Sequence, residues 1–298
     1  MTKTTKHKAF SLIEISMVIL VIGILIAGIS QGIDLYDDYR LTSARNLTKN
    51  SLVNRIPDLE MWLETTSENS LATGTTSFTD KANPADQDSI GRWNNINPNI
   101  LPTARNHATQ NNPTASVDNQ PKYIRKGMNG LPALLFDGTN DFFSYNGNFL
   151  VGADYTIFVV EARSSGYYNV FLSGNESNTN KMLILGYNQF DQIIYTHYGS
   201  DLKKGMPTFI SPIPRIHSFV FNKINGKSIY TNSGTATSNV NQTSPLISYS
   251  GSSIGNYINN YYYKGYIAEI IFYTRALTDK ERQEVELYLS KKWGIKIG

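Results

Sequence analysis

Apolar positions in this chain fall into three successive patterns. From Phe10 to Ser30 they run almost unbroken, and Glu14 is the one charged residue in that stretch. From Leu35 to Ile56 they recur at near-helical spacing, with Asp37, Asp38, Arg40 and Arg45 between them. Beyond Pro57 they come in short runs separated by Gly, Asn, Ser and Pro. The first pattern predicts a membrane-spanning helix, since a hydrocarbon core of roughly 30 Å takes about 20 apolar residues. The second predicts that this helix continues as a stalk to Ile56, where Pro57 stops it. The third predicts strands at Leu59–Leu63, 92–93, Ala133–Phe136, Tyr155–Ala162, Asn169–Leu172, Met182–Leu185, Gln192–His197, Ile216–Asn222, Ser228–Thr231, Ser252–Ile254 and Tyr266–Tyr273.

Between the first strands, residues 65–120 are rich in Asn, Thr, Ser and Pro and read as a long surface excursion. Asn225-Gly226 is the best hairpin signal, with both central residues at positive φ. Thr278 to Glu281 has capping-box spacing, and Val285, Tyr288, Leu289 and Trp293 form one apolar stripe that Gly294 ends. The fold class is therefore mainly β. A long N-terminal α-helix, transmembrane and then stalk, is followed by an antiparallel β-sandwich jelly roll with a C-terminal helix.

Composition changes the picture in two ways. The formal charge of +3 looks basic, but three of the 27 basic side chains, Lys3, Lys6 and Lys8, lie in the first nine residues. Without them 24 basic groups face 24 acidic ones, so charge gives no nucleic-acid footprint. There is no cysteine, so the domain relies on its apolar core rather than on disulfides.

A lone carboxylate in an apolar helix costs several kcal/mol in lipid unless it finds a partner. With that placement, Ala9-Phe10-Ser11-Leu12-Ile13-Glu14 resembles the signal of type IV prepilins and type II secretion pseudopilins, although that family prefers Gly where this chain has Ala9. The resemblance implies cleavage by a prepilin peptidase between Ala9 and Phe10, N-methylation of Phe10, and a span from Phe10 to Ile33. It also implies that Glu14 pairs with the freed amine of a neighbouring subunit during assembly. The segments would be a leader over 1–9, a pilin-like transmembrane and stalk helix over 10–57, and a domain over 58–298. Gln31 stands where many pilins carry a kinking Pro, which points to a minor subunit.

A second resemblance covers the domain. Leu59 to Glu64, Pro132 to Phe142 (PALLFDGTNDF) and Gly265 to Tyr273 running on to Trp293-Gly294 are similar, in order, to blocks of laminin-G-like, concanavalin-A-like jelly rolls. It implies a lectin-like or adhesive module, with calcium as a possible ligand.

Candidate chemistry is sparse. Asp137, Asn140 and Asp141 offer oxygens for calcium, or simply make a tight turn. Tyr257, Tyr261, Tyr262 and Tyr263, among Asn256, Asn259 and Asn260, suit a sugar or a protein surface, or alternate into the core. Tyr167 and Tyr168 are a lesser case of the same kind. Gly251-Ser252-Ser253-Ile254-Gly255 has nucleophile-elbow spacing, but a strand follows it and no histidine does. His107, His197 and His217 have no metal-ligand spacing. The acids Glu161, Asp191 and Glu269 lie on or beside strands, with nothing in the sequence to pair them as a glycosidase requires.

These readings lead to one expectation and two alternatives. The chain is expected to be a pilin-like subunit of a type IV pilus or secretion pseudopilus that presents a lectin-like or adhesive jelly roll and has no enzymatic activity. Its partners would be the bacterial inner membrane, a prepilin peptidase, other pilin subunits, and a glycan or surface protein. It would be single-pass, with the C-terminal domain periplasmic or extracellular, and no cofactor is expected beyond possible calcium. The alternatives are a membrane-tethered carbohydrate-active enzyme and a structural pseudopilin without a ligand.

Overall fold

The computed structural model describes residues 11–74, 83–110, 119–258 and 261–298. The chain divides into two compact units, Met1–Thr42 and Ser43–Gly298. The expected cleavage point, Ala9 and Phe10, lies outside the described residues.

In the first unit, α1 (Leu12–Lys49) exposes its apolar side chains all round; Leu12 is 87% exposed and Ile26 63%. Leu12 to Ile33 rises about 32 Å at ~1.5 Å per residue, so the helix is long and apolar enough to cross a membrane. Its first turn is capped reciprocally. The Glu14 amide donates to Ser11 Oγ at 3.2 Å, and the Ser11 amide donates to Glu14 Oε2 at 2.8 Å. Glu14 thus closes a capping box, a local role the sequence reading did not give it.

The last turns of α1 belong to the second unit, where Ala44 and Thr48 are buried. The expectation that the helix runs to Ile56 is corrected. It ends at Lys49, and a 3₁₀ turn follows at Val53–Arg55. Asn50 Nδ2 donates to the Asn46 carbonyl at 2.9 Å, a side-chain bond that competes with helix continuation. The turn then buries Val53 and Ile56 in an apolar cluster.

The strands, in chain order, begin with β1 (Leu59–Glu64), β2 (Leu71–Ala72), β3 (Arg92–Trp93), β4 (Ala108–Thr109), β5 (Lys122–Met128), β6 (Leu131–Asp137) and β7 (Phe143–Ser144). Then come β8 (Tyr155–Arg163), β9 (Asn169–Ser173), β10 (Ile184–Tyr187), β11 (Gln192–Thr196), β12 (Asp201–Gly205), β13 (Arg215–Asn222) and β14 (Gly226–Thr231). The last are β15 (Thr237–Asn239), β16 (Ser253–Ile254), β17 (Asn256–Tyr257), β18 (Tyr261–Tyr262) and β19 (Lys264–Tyr273), before α2 (Asp279–Trp293). One sheet has the order β15-β14-β13-β8-β19-β6-β5, with β1 pairing the C-terminal half of β19. The facing sheet has the order β12-β11-β10-β9-β16-β7-β4-β3-β2, and β17 and β18 make a separate hairpin.

β8 shows why the sandwich has two apolar layers. Period-2 alternation sends Tyr155, Ile157 and Val159 to the core between the sheets. Phe158, Val160 and Ala162 face the opposite way and pack with Val285, Leu289 and Trp293 of α2. Every residue of β8 is therefore buried, which explains its nearly continuous apolar run. The α2 caps are as expected: Thr278 and Glu281 make the capping box, and Gly294 sits in the left-handed region at φ 62°.

Two further expectations change. The hairpin at Asn225-Gly226 exists, but Asn222 pairs with Gly226, so Lys223, Ile224 and Asn225 form a three-residue loop. Gly226, the first residue of β14, is the one with positive φ, at 75°, and a Cβ there would collide with the Asn239 carbonyl oxygen. The surface excursion over 65–120 is in part core, because Leu71, Ile90, Trp93 and Ala108 are buried between the sheets.

Candidate functional site

β8 ends Glu161-Ala162-Arg163, and its alternation carries both charged side chains to the inner face, where neither is exposed. Charge at such a place requires partners. Tyr187 donates its hydroxyl to Glu161 Oε1 at 2.8 Å, and Tyr263 donates to Oε2 at 2.6 Å. His217 Nε2 lies 3.0 Å from Oε1. Burial alone would raise the Glu161 pKa, but the bonds from His217, Tyr263 and Tyr187 prevail and lower it. Burial holds His217 below its ordinary value despite the adjacent carboxylate. Arg163 stacks on the face of the same Tyr187 ring, 3.9 Å from its centroid, and pairs with Asp191 Oδ1 at 2.7 Å. Tyr187 thus joins two buried ion-bearing groups, and Asp191 is the partly exposed end of the chain of contacts.

Immediately after Arg163, the loop to β9 carries Tyr167 and Tyr168. Tyr168 lies 4.6 Å from Tyr261 between ring centroids, and Tyr167 is 5.1 Å from Tyr168. Tyr257 stacks on Tyr261 at 5.8 Å, with planes 20° apart. The four rings make one contiguous tyrosine cluster, here called the platform, in which Tyr167 stands edge-on to Tyr168 at 86° and is 59% exposed. One buried amide fixes it. Asn169 Nδ2 donates to the carbonyls of Ser165 and Tyr167, while its Oδ1 accepts from the Lys264 amide at 2.8 Å. Asn169 so ties the Tyr167–Tyr168 loop to the strand that follows the Tyr261 hairpin. That hairpin rests on Val170, Met182 and Ile184 through Tyr257 and Ile258. Ile258 has φ 52°, a costly conformation for a β-branched residue that packing must hold in place.

Of the four tyrosines read from the sequence, Tyr257 and Tyr261 join the platform, Tyr262 is half-buried, and Tyr263 lies in the core on Glu161. Asn259 and Asn260 lie outside the described residues. Tyr167 and Tyr168, the lesser candidates of the sequence, complete the surface; no spacing rule joins them to Tyr261, because they are remote from it along the chain and only the fold brings them together.

The other candidates lie elsewhere. Asp137 Oδ1 accepts from the Thr139 and Asn140 amides, and Asp141 Oδ2 accepts from the Asp137 amide. Burial raises the Asp141 pKa to about 7. Among the described residues no group of three or more His, Asp or Glu side chains converges as a metal site. Ser253 is buried in β16 and donates to the Asn256 carbonyl. His197 accepts from or donates to Tyr155 at 2.6 Å and approaches the Ser244 carbonyl through Nδ1 at 2.8 Å. Glu269 lies on the face of β19 opposite to the core, under α2. There Trp62, Trp293 and Tyr288 donate to it and Lys292 pairs with it at 2.9 Å. Glu161 and Glu269 are thus on opposite faces of one sheet.

No family model matches the chain, and no curated protein matches its sequence. Solved structures match its fold. An α-L-arabinofuranosidase soaked with a cyclic sulfate inhibitor is 11% identical over 84% of this chain and 65% of its own, with a TM-score of 0.55. An arabinofuranosidase complexed with arabinofuranosyl-alpha-1,2-xylobiose is 12% identical over 79% and 63%, with a TM-score of 0.54. A Trypanosoma rangeli sialidase in complex with 2,3-difluorosialic acid is 13% identical over 82% and 34%, with a TM-score of 0.50. The chain spans about a third of that sialidase and under two thirds of the arabinofuranosidases. At these identities the likeness is one of fold. It corrects the expectation of a chain without enzymatic activity: glycoside hydrolases carry this sandwich, so the lack of a paired-acid motif in the sequence is no ground for excluding catalysis.

Proposed function

We propose that the chain is a membrane-tethered, carbohydrate-active protein whose β-sandwich engages glycan at the tyrosine platform. The observation that carries this reading is the convergence of Tyr167, Tyr168, Tyr257 and Tyr261, held by the buried Asn169. Flat aromatic faces with hydroxyl handles present apolar area and hydrogen bonds together at low entropic cost, which matches the apolar faces and hydroxyl edges of sugar rings. The fold shared with arabinofuranosidases is consistent with it.

The tether is proposed to be of the prepilin kind, cut between Ala9 and Phe10, with Glu14 serving assembly in a filament. The capping box at Ser11 and Glu14 favours this reading in one respect: it keeps the carboxylate at the start of the helix, beside the position where the freed amine of a neighbour would arrive.

The test uses the full chain in detergent against a panel of oligosaccharides, read for binding and for product release. Binding of at least one sugar class, lost when Tyr168→Ala and Tyr261→Ala are combined, is the expected result. A blank panel, or binding indifferent to both substitutions, overturns the proposal.

A further inference from the structure

Away from the tyrosine platform, the second unit carries a groove of about 1210 Å³ between the last turns of α1 and the segment 92–107. Its charge is one-sided. Arg45, Lys49, Arg92 and Arg105 line it, and Glu68 is the one acid among its described lining residues. Glu68 is already paired with Arg45, at 3.1 Å. Arg92, Arg105 and Lys49 make no ion pair among the described residues.

The groove wall is rigid because asparagine side chains replace a strand there. Asn95 Oδ1 accepts from the Trp62 amide at 2.9 Å, and its Nδ2 donates to the Glu60 carbonyl. Asn97 Nδ2 donates to the Leu59 carbonyl at 2.6 Å. Segment 95–97 is thereby fastened along β1. The guanidinium groups are fixed to this wall. Arg92 Nε donates to Asn94 Oδ1 at 2.8 Å, and Arg105 Nε donates to the Ile100 carbonyl at 3.0 Å. The Asn95 amide donates to His107 Nδ1 at 3.1 Å, so the neutral imidazole carries its proton on Nε2 as a third donor. Burial, with Arg92 and Arg105 adding to it, holds His107 below its ordinary pKa.

Two guanidinium groups near one imidazole, with no ion pair to either among the described residues, repel each other, and an arriving anion relieves that cost. Arg92, anchored through Nε, still presents its terminal N–H pair, the geometry that binds an oxyanion through two bonds, and Arg105, whose Nη1 also donates to the Asn95 carbonyl at 3.4 Å, keeps Nη2 for a ligand. Asn54 and Asn69, also in the lining, add neutral amides, which suit hydroxyl-rich ligands better than a purely electrostatic partner. We infer that this groove is a second binding site, for a sugar unit bearing a carboxylate or sulfate group, with Arg92 and Arg105 holding the oxyanion. The inference rests on the carbohydrate reading of the chain but not on the tyrosine platform.

Calorimetry on the full chain in detergent tests it with three probes: tetragalacturonate, a sulfated galactan tetramer and neutral galactotetraose. One of the two anionic probes should bind at least tenfold more tightly than the neutral one, and which one does so distinguishes carboxylate from sulfate. Arg92→Gln and Arg105→Gln should each weaken that binding at least tenfold with unchanged Tm, whereas Tyr168→Ala should leave it intact. Equal affinity for all three probes, no binding of either anion, or equal capture of a poly-glutamate peptide overturns the inference. Retained anion binding alongside a platform indifferent to its tyrosine substitutions would sink the platform reading and leave the groove standing.

Discussion

Lys292 Nζ lies 2.7 Å from Glu64 Oε2, and neither side chain has any exposed surface. The same ammonium reaches Glu269 at 2.9 Å, so one buried cation holds two carboxylates beneath α2. Breaking a buried pair by removing one partner costs about 3–5 kcal/mol, because the remaining charge stays buried alone. Lys292→Met should therefore lower Tm by about 10 °C in a domain of this size. Thermal unfolding by circular dichroism reads this, and an unchanged Tm would show that Lys292 does not anchor the helix.

The same cluster predicts acid sensitivity. Burial would raise the Glu64 pKa, but Lys292 and the Ser67 and Thr66 donors outweigh it and bring it down to about 2. A depressed carboxylate stabilises the fold above its unfolded value of 4.5 and loses that contribution as pH falls toward about 2. Glu64→Gln should flatten the loss of stability across that window, measured by denaturant unfolding at stepped pH.

His197 predicts a second window, which opens at higher pH and overlaps the first below 4.5. Burial, with Lys227 adding to it, drives its pKa down to about 3. Unfolding lets the ring take a proton that the folded core refuses, so stability present above about 6.5 drains away as pH falls toward about 3. The slope is up to about 1.4 kcal/mol per pH unit. His197→Gln should remove that slope between pH 6 and 4 while leaving the lower Glu64 window in place.

Asn169 should matter to the platform more than its size suggests. Asn169→Ala leaves two loop carbonyls and the Lys264 amide without partners, a cost of about 1–3 kcal/mol each where water cannot replace it. Faster amide exchange across 164–168, together with weakened glycan binding, is expected. By contrast, Tyr168→Ala should weaken binding about tenfold while Tm moves little, since its ring contributes at the surface.

Ser11 and Glu14 separate capping from assembly. Ser11→Ala removes a cap worth about 1 kcal/mol and should leave filament incorporation intact. Glu14→Ala should allow removal of the leader and block incorporation. Mass spectrometry of the mature N-terminus and pelleting of filaments read the two steps separately, and incorporation of the Glu14 variant would refute the pairing role.

Particular residues show what could be read from the chain. Residues 155–162 and 266–273 read as strands because burial on both faces demands apolar side chains at nearly every position. β5, with the sequence KYIRKGM, did not, because it lies at the end of its sheet and its exposed side chains are charged. β12, DLKKG, is an end strand of the facing sheet and was missed for the same reason. The Asn-rich stretch 94–99 looked like loop, yet its side-chain amides bind the β1 backbone as a strand would.

The sequence by itself determined the apolar helix, the caps of α2, and the antiparallel sandwich with its covering helix. These follow from periodicity and local hydrogen bonding, which act between residues a few positions apart. Only tertiary structure decided which side chains converge: Tyr168 with Tyr261, Glu161 with Tyr187 and Tyr263, Arg92 with Arg105 and His107. Those encounters depend on strand order and register, where a slip of one residue would send Glu161 and Arg163 to the opposite face, and no local pattern encodes that choice.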